Sequence, residues 1–412
     1  MKILIYDDDP IMSKRWRDRL EKAFTALECD FKVEPLEKNC FEECISQLER
    51  RRLDARDNVK ITGNNELDEA DVLILDYDLL TSETQAFVTG EVAAYLARCY
   101  SNCGLIIGLN QYGNNSFDLT LKGHPESFAD LNLGDRQIDN PGLWSESNGD
   151  WTGFRPWVWP VLPRAAAAFE KRAEELSENL DKPILTFLEF PGEVVKTLPR
   201  SAIEFLAGSK PVEQRTFRDF VLDKKTKNGL RGRDEPMSER AVARIAAARI
   251  WKWLERLVLP GQDILVDAPH LVSRYPSLLK DDNDGLANWN KTASFLEAKK
   301  LGIDYRKVST FKFPKENWLS RPAWFWQKVS NHNKIDEVAS PWTTERPDWV
   351  FGEDGSRFLP RKAAREFVAD LSSPFVRRFV VNSVSKVVDP QGKRYAKSIK
   401  GVDFRPLVRF SL

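Results

Sequence analysis

Two short apolar runs in the first eighty residues each end in acidic side chains. Lys2-Ile3-Leu4-Ile5-Tyr6 enters Asp7-Asp8-Asp9, and Asp71-Val72-Leu73-Ile74-Leu75 enters Asp76-Tyr77-Asp78. Unbroken apolar runs of this length mark strands buried on both faces, the kind a parallel sheet uses. Open α/β sheets place their chemistry outside the carboxyl ends of such strands. Carboxylates from two strand ends can then converge on one hard cation. Magnesium suits this, since it takes a few carboxylates and fills its shell with water and phosphate oxygens.

The pattern around these runs alternates strand and helix. Asp9-Pro10 opens a helix running to about Cys29, with proline in the first turn. Phe31–Val33 is a second strand, Cys40–Arg52 a helix, and Asp71–Leu75 the third strand. Gly90–Tyr100 is helical, Gly104–Gly108 a fourth strand and Phe128–Leu133 a fifth. Such β-α alternation predicts a doubly wound parallel sheet.

At this point the chain resembles the receiver domain of bacterial response regulators, over about residues 1–135. The resemblance implies a flavodoxin-like fold in which Asp7 and Asp8 hold Mg2+ and the Asp78 backbone carbonyl adds a ligand. It makes Asp76 the phosphoacceptor and a sensor histidine kinase the natural partner. Two family features are missing. Receivers carry Thr or Ser after the fourth strand, where this chain has Leu109 or Asn110. They carry Lys after the fifth strand, where it has Gly134-Asp135, leaving Asn110 and Lys122 as substitute phosphate contacts. Phosphoryl transfer needs a carboxylate in line with phosphorus and a metal to offset charge, so acids and Mg2+ alone can support it. A pseudo-receiver that only binds magnesium or docks a kinase is the alternative.

A chain of 412 residues exceeds one ordinary core. Residues 1–135 are therefore assigned to the receiver-like domain and 136–163, rich in Trp, Pro, Gly and Asn, to a linker or docking segment. Residues 164–412 are assigned to an α-rich α+β output region. There, Arg164–Leu180 is a strong helix, Ile184–Phe190 is strand-like, and Ser238 caps a helix over Glu239–Leu259. Ile264–Val266 is strand-like, short helices follow Asp281, and a helix pair, Ala363–Leu371 and Phe375–Val388, precedes a basic tail. No run of eighteen apolar residues exists, which argues against a membrane span. The acids after the first apolar run do not fit a signal peptide, and five cysteines, all before residue 104, do not form an oxidised framework. A cytoplasmic location follows as the expectation. Thirteen tryptophans, most of them between Trp144 and Trp342, supply core and candidate interface, including a homodimer.

A formal net charge of zero conceals polarity along the chain. Residues 1–90 hold 21 acidic and 13 basic side chains, whereas residues 361–412 hold 12 basic and 4 acidic. Arg377, Arg378, Lys393, Arg394, Lys397 and Lys400, interleaved with Phe379, Tyr395 and Phe404, have the density that binds phosphate backbones and stacks on bases. The same charges can pair with the acidic head. No helix-turn-helix is evident to carry DNA recognition. Cys40-x3-Cys44 and Cys99-x3-Cys103 each share a helical face and together offer four thiolates for zinc, or small apolar packing. Asp263, Asp267 and His270 follow one apolar run with Ser273 nearby, an arrangement open to acid–base chemistry in a C-terminal enzyme. The leading expectation is a response-regulator-like protein whose receiver controls a partner-binding output.

Overall fold

Strands β1 (Lys2–Tyr6), β2 (Lys32–Pro35), β3 (Val72–Asp76), β4 (Leu105–Asn110) and β5 (Leu131–Gly134) form a wholly parallel sheet in the order β2-β1-β3-β4-β5. The computed structural model describes residues 1–56, 63–77, 88–110, 127–145, 156–223, 237–275, 308–332, 349–367 and 378–381, with the isolated positions 79, 117–118, 225, 278 and 393–394. Period-two alternation sorts the strand residues onto two faces. Ile3, Ile5, Val72, Ile74, Ile107 and Leu131 lie in one apolar cluster with Trp16, Leu20 and Phe24 of helix α1 (Pro10–Ala26). Leu4, Tyr6, Leu73, Leu75 and Ile106 lie in another with α2 (Lys38–Arg56) and α3 (Gly90–Tyr100). Both faces are covered, which is why the runs are unbroken in the sequence.

Local chemistry sets the helix starts. Asp9 caps α1 by accepting from the Ile11 amide at 2.9 Å, and Thr89 caps α3 through the Val92 amide at 3.3 Å. Gly104 lets β4 enter beside β3, because a Cβ there falls 2.2 Å from the Asp71 carbonyl oxygen.

The tryptophan-rich segment docks. Trp144 donates its indole N–H to the Ile138 carbonyl at 2.6 Å and meets Phe24 edge-on, while Trp157 and Trp159 are buried. Helix α4 (Leu162–Ser177) then puts Leu162, Ala165 and Ala166 on the α1 face of the sheet and Phe169 and Leu176 into the opposite cluster. Helix α5 (Glu239–Trp253) starts at Ser238, whose hydroxyl accepts from the Ala241 amide at 3.2 Å, and packs against α3 and α4. Every residue from Ala241 to Trp253 is buried. One apolar cluster runs from Leu4 through Leu180 and Ile250 to Phe325, so the packing has no break at residue 135.

Several expectations for the second half are corrected. Ile184–Phe190 is not a strand. Ile184–Phe187 is a short helix behind Pro183, and Glu189 turns the chain at φ 58°. Short apolar runs carry no period that separates helix from strand. The helix from Glu239 stays α-helical only to Trp253 and widens into a π turn over Leu254–Val258. The strand at Ile264–Val266 is present as β6 (Leu265–Asp267), antiparallel to β7 (Ala323–Phe325). The final helix pair is replaced, within the described residues, by strands. β8 (Trp349–Gly352), β9 (Arg357–Pro360), β10 (Ala364–Phe367) and β11 (Arg378–Val381) form a sheet in the order β9-β8-β11-β10. Arg-Phe-Val-Val favours strand by its β-branched and aromatic content, and cross-strand partners far along the chain decide the outcome. The rest of both expected helices lies outside the described residues.

Candidate metal-binding acidic site

Adjacent parallel strands bring the two acidic ends together. Tyr6 lies opposite Leu75 in the β1–β3 register, so Asp7 and Asp76 emerge side by side at the carboxyl end of the sheet. One carboxylate oxygen from each of Asp7, Asp8 and Asp76 lies within 4.8 Å of the others. Asp7 and Asp76 are each 4 % exposed, while Asp8 is half-buried.

The surroundings of Asp7 are specific. Its backbone N–H donates to the Ser13 hydroxyl at 3.0 Å, and its Oδ1 accepts the Asp9 N–H at 2.7 Å. Its Oδ2 is buried without a hydrogen-bond partner. Burial foremost, with the charges of Asp76 and Asp8 and against the Asp9 amide, pushes the Asp7 carboxyl up to about 7. Burial likewise raises the Tyr6 phenol to about 12, helped by Asp8, Glu42 and Asp7. Three acids held this close, one with an unpaired buried oxygen, fit a divalent cation. Mg2+ binds through one or a few carboxylate oxygens and completes its shell with water, the kind of ligand this cluster offers.

Of the other expected site residues, Asp78 and Lys122 lie outside the described residues. Asn110 ends β4 one position past Leu109, the partner of Asp76, and lies opposite Gly134. Asp135 follows β5 directly. It accepts the Trp16 indole N–H at 3.0 Å and Arg19 at 2.7 Å, which ties α1 to the strand end.

A feature the sequence reading missed adjoins Asp76. The Tyr77 hydroxyl donates to Glu91 at 2.9 Å, and Glu91 also accepts from the Ser127 hydroxyl at 2.7 Å and the Phe128 N–H at 2.6 Å. Burial, then Glu91, raises the Tyr77 phenol far above its usual range. Gly108 makes room, since a Cβ there falls 2.7 Å from the Tyr77 ring. A glycine inside an apolar strand was the available signal. The Ser127 and Ala129 carbonyls in turn receive the Lys252 ammonium of α5, so a hydrogen-bonded path leads from the acidic end to that helix.

Asp267 and His270 do meet, deep inside the protein. Asp267 contacts His270 Nδ1 at 2.5 Å and accepts from Arg321 at 2.9 Å, Trp157 at 2.9 Å and Gln262 at 3.1 Å. His270 Nε2 faces Glu353 at 3.6 Å, Glu353 grips Arg378 through both carboxylate oxygens, and Arg321 reaches Glu255 at 3.1 Å. Despite its burial, Asp267 is held well below the usual carboxylate range by His270 and Arg321. Glu353 is lowered to about 2, chiefly by Arg378 against burial, and Asp267 raises His270 against burial. The array alternates anion and cation and is enclosed, so it clasps β6, β8 and β11 together. Ser273 donates to the Pro269 carbonyl at 2.7 Å, the local bond of a helical serine.

Arg378, expected in a basic binding surface, is buried and engaged by Glu353 because it sits on β11 inside the sheet. Arg377, Lys397 and Lys400 lie outside the described residues. Lys393 and Arg394 form a two-residue strand parallel to Phe117–Asp118. The cysteines do not assemble as four thiolates. Cys99 and Cys103 pack in the core, with the Cys103 thiol pushed up to about 12 by burial, while Cys40 and Cys44 gather beside Glu66. No protein-family model, curated protein or solved structure matches this chain.

Proposed function

We propose that residues 1–135 act as an atypical response-regulator receiver, with Asp76 as phosphoacceptor and Asp7 and Asp8 as the acids of a Mg2+ site, controlling a partner-binding output. The convergence of Asp7, Asp8 and Asp76, with the Asp7 Oδ2 buried and unpartnered, carries this reading. The strand order β2-β1-β3-β4-β5 supports it, being the flavodoxin-like order, and the acids lie at the carboxyl end of the sheet.

In this reading an Asp76 carboxylate oxygen attacks phosphorus in line. The new O–P bond gives an acyl phosphate while the bond to the donor, a kinase phosphohistidine or a small acyl phosphate, breaks and the donor leaves with its electron pair. Bound Mg2+ supplies charge neutralisation on the transferring group. Asp7 and Asp8 hold that cation, and Ser13 and the Asp9 amide keep Asp7 oriented. The usual hydroxyl switch is replaced here by the Tyr77–Glu91–Ser127 bonds, which reach Lys252 on α5. The output is the helical layer packed on the sheet rather than a tethered module. Nucleic-acid binding gains nothing from the buried Arg378. Incubating the full chain with acetyl phosphate and Mg2+ labels one site, and Asp76→Asn abolishes it. Labelling that persists in Asp76→Asn rejects the assignment.

A further inference from the structure

Helix α2 carries Cys40 and Cys44 one turn apart on the face that meets the 3-10 turn Glu66–Glu69. The two sulfurs and a Glu66 carboxylate oxygen all lie within 4.8 Å of one another, and Cys40 Sγ donates to Glu66 Oε2 at 2.7 Å. We propose that Cys40, Cys44 and Glu66 bind a thiophilic divalent cation of the zinc class, at a site separate from the acidic pocket.

Two observations point to a ligand rather than to packing. First, the donor set is chemically matched: two thiols and a carboxylate make three protein ligands, and the fourth tetrahedral position is left to water. Sulfur donors select zinc-class ions over magnesium, so the two sites do not compete for one metal. Second, the third ligand is held in place by its own scaffold. Buried Asn65 accepts the Leu67 amide at 3.0 Å and donates to the Cys44 carbonyl at 2.9 Å and Gln47 at 3.2 Å. Arg51 grips Asp68 through two bonds of 3.0 and 2.6 Å. The turn bearing Glu66 is thus pinned to the helix bearing the cysteines, as outer-shell bonds pin metal ligands. Access is open, because Cys40 is half-buried and Glu66 exposed, whereas Cys44 closes the inner side.

The test uses the reduced full chain, with Cd2+ as spectroscopic probe and Zn2+ as competitor. Wild type takes up one Cd2+ with a sulfur-to-cadmium charge-transfer band, Zn2+ displaces it and excess Mg2+ does not. Cys40→Ser, at the half-buried position, keeps the metal-free melting temperature and loses both the band and the metal-induced rise in melting temperature. Glu66→Gln weakens binding about tenfold. Asp76→Asn leaves the band unchanged. Absence of the band in wild type, its survival in Cys40→Ser, or recovery of Cys40 and Cys44 as a mutual disulfide after reduction overturns the proposal.

Discussion

Replacing Asp7 by asparagine isolates the electrostatic cost of bringing three carboxylates together. Burial and the neighbouring acids lift Asp7 from 3.8 to about 7, so the folded chain holds a proton that the unfolded chain has released. An acid raised in this way makes stability fall as pH rises, beginning near the unfolded value and ending above the folded one. At about 1.4 kcal/mol per pKa unit, the full penalty is about 4 kcal/mol, shared among the coupled acids. Roughly 2.5 kcal/mol of it develops between about pH 5 and pH 8. Asparagine keeps the acceptor for the Asp9 amide and removes the charge. Urea unfolding followed by tryptophan fluorescence, in chelator, therefore shows the stability advantage of Asp7→Asn widening by about 2.5 kcal/mol over that range. Excess Mg2+ narrows the gap at high pH by stabilising only the wild type. A gap independent of pH, or one that widens toward acid, refutes the reasoning.

Three further outcomes follow from other parts of the molecule. Lys252 is lowered from 10.5 to about 7, mainly by burial, so the charged form penalises the fold below 7 and wild-type stability rises as pH climbs from 7 toward 10.5; Lys252→Met flattens that rise in a pH series of unfolding midpoints. Glu353→Gln leaves His270 and Arg378 facing each other without their shared anion and costs about 3–5 kcal/mol by chemical denaturation. Gly104→Ala forces a Cβ to within 2.2 Å of the Asp71 carbonyl oxygen, a backbone atom that cannot rotate away, and lowers stability by about 3 kcal/mol in the same assay.

The sheet was legible in the sequence because its central strands β1 and β3 are buried on both faces and stand out as apolar runs, whereas the edge strand β2, Lys-Val-Glu-Pro, carries no such signal. The acidic site was legible for the same reason: strand ends fix where Asp7 and Asp76 point, and register does the rest. The Tyr77–Glu91–Ser127 bonds were not, since residues 50 apart meet only after β3, α3 and β5 are assembled. The C-terminal half misled most. Strands such as Ala364–Phe367 and Arg378–Val381 are four residues long, too short for periodicity to show, and their pairing is non-local. Asp267 and His270 were correctly seen as neighbours, three apart on one segment. Their environment depends on Arg321 and Glu353, which no local pattern connects to them. Helices α4 and α5 pack on the sheet itself, through side chains far along the chain that no local pattern connects to it.

The acidic pocket is best tested by counting hard divalent ions on the full chain. Calorimetric titration with Mg2+, repeated with Mn2+ and electron paramagnetic resonance, is predicted to show one site in wild type, tighter as pH rises through 7. That site disappears in Asp7→Asn and in Asp76→Asn, and persists in Cys40→Ser. Equal Mg2+ binding by wild type and Asp7→Asn, or no binding by wild type, contradicts the account.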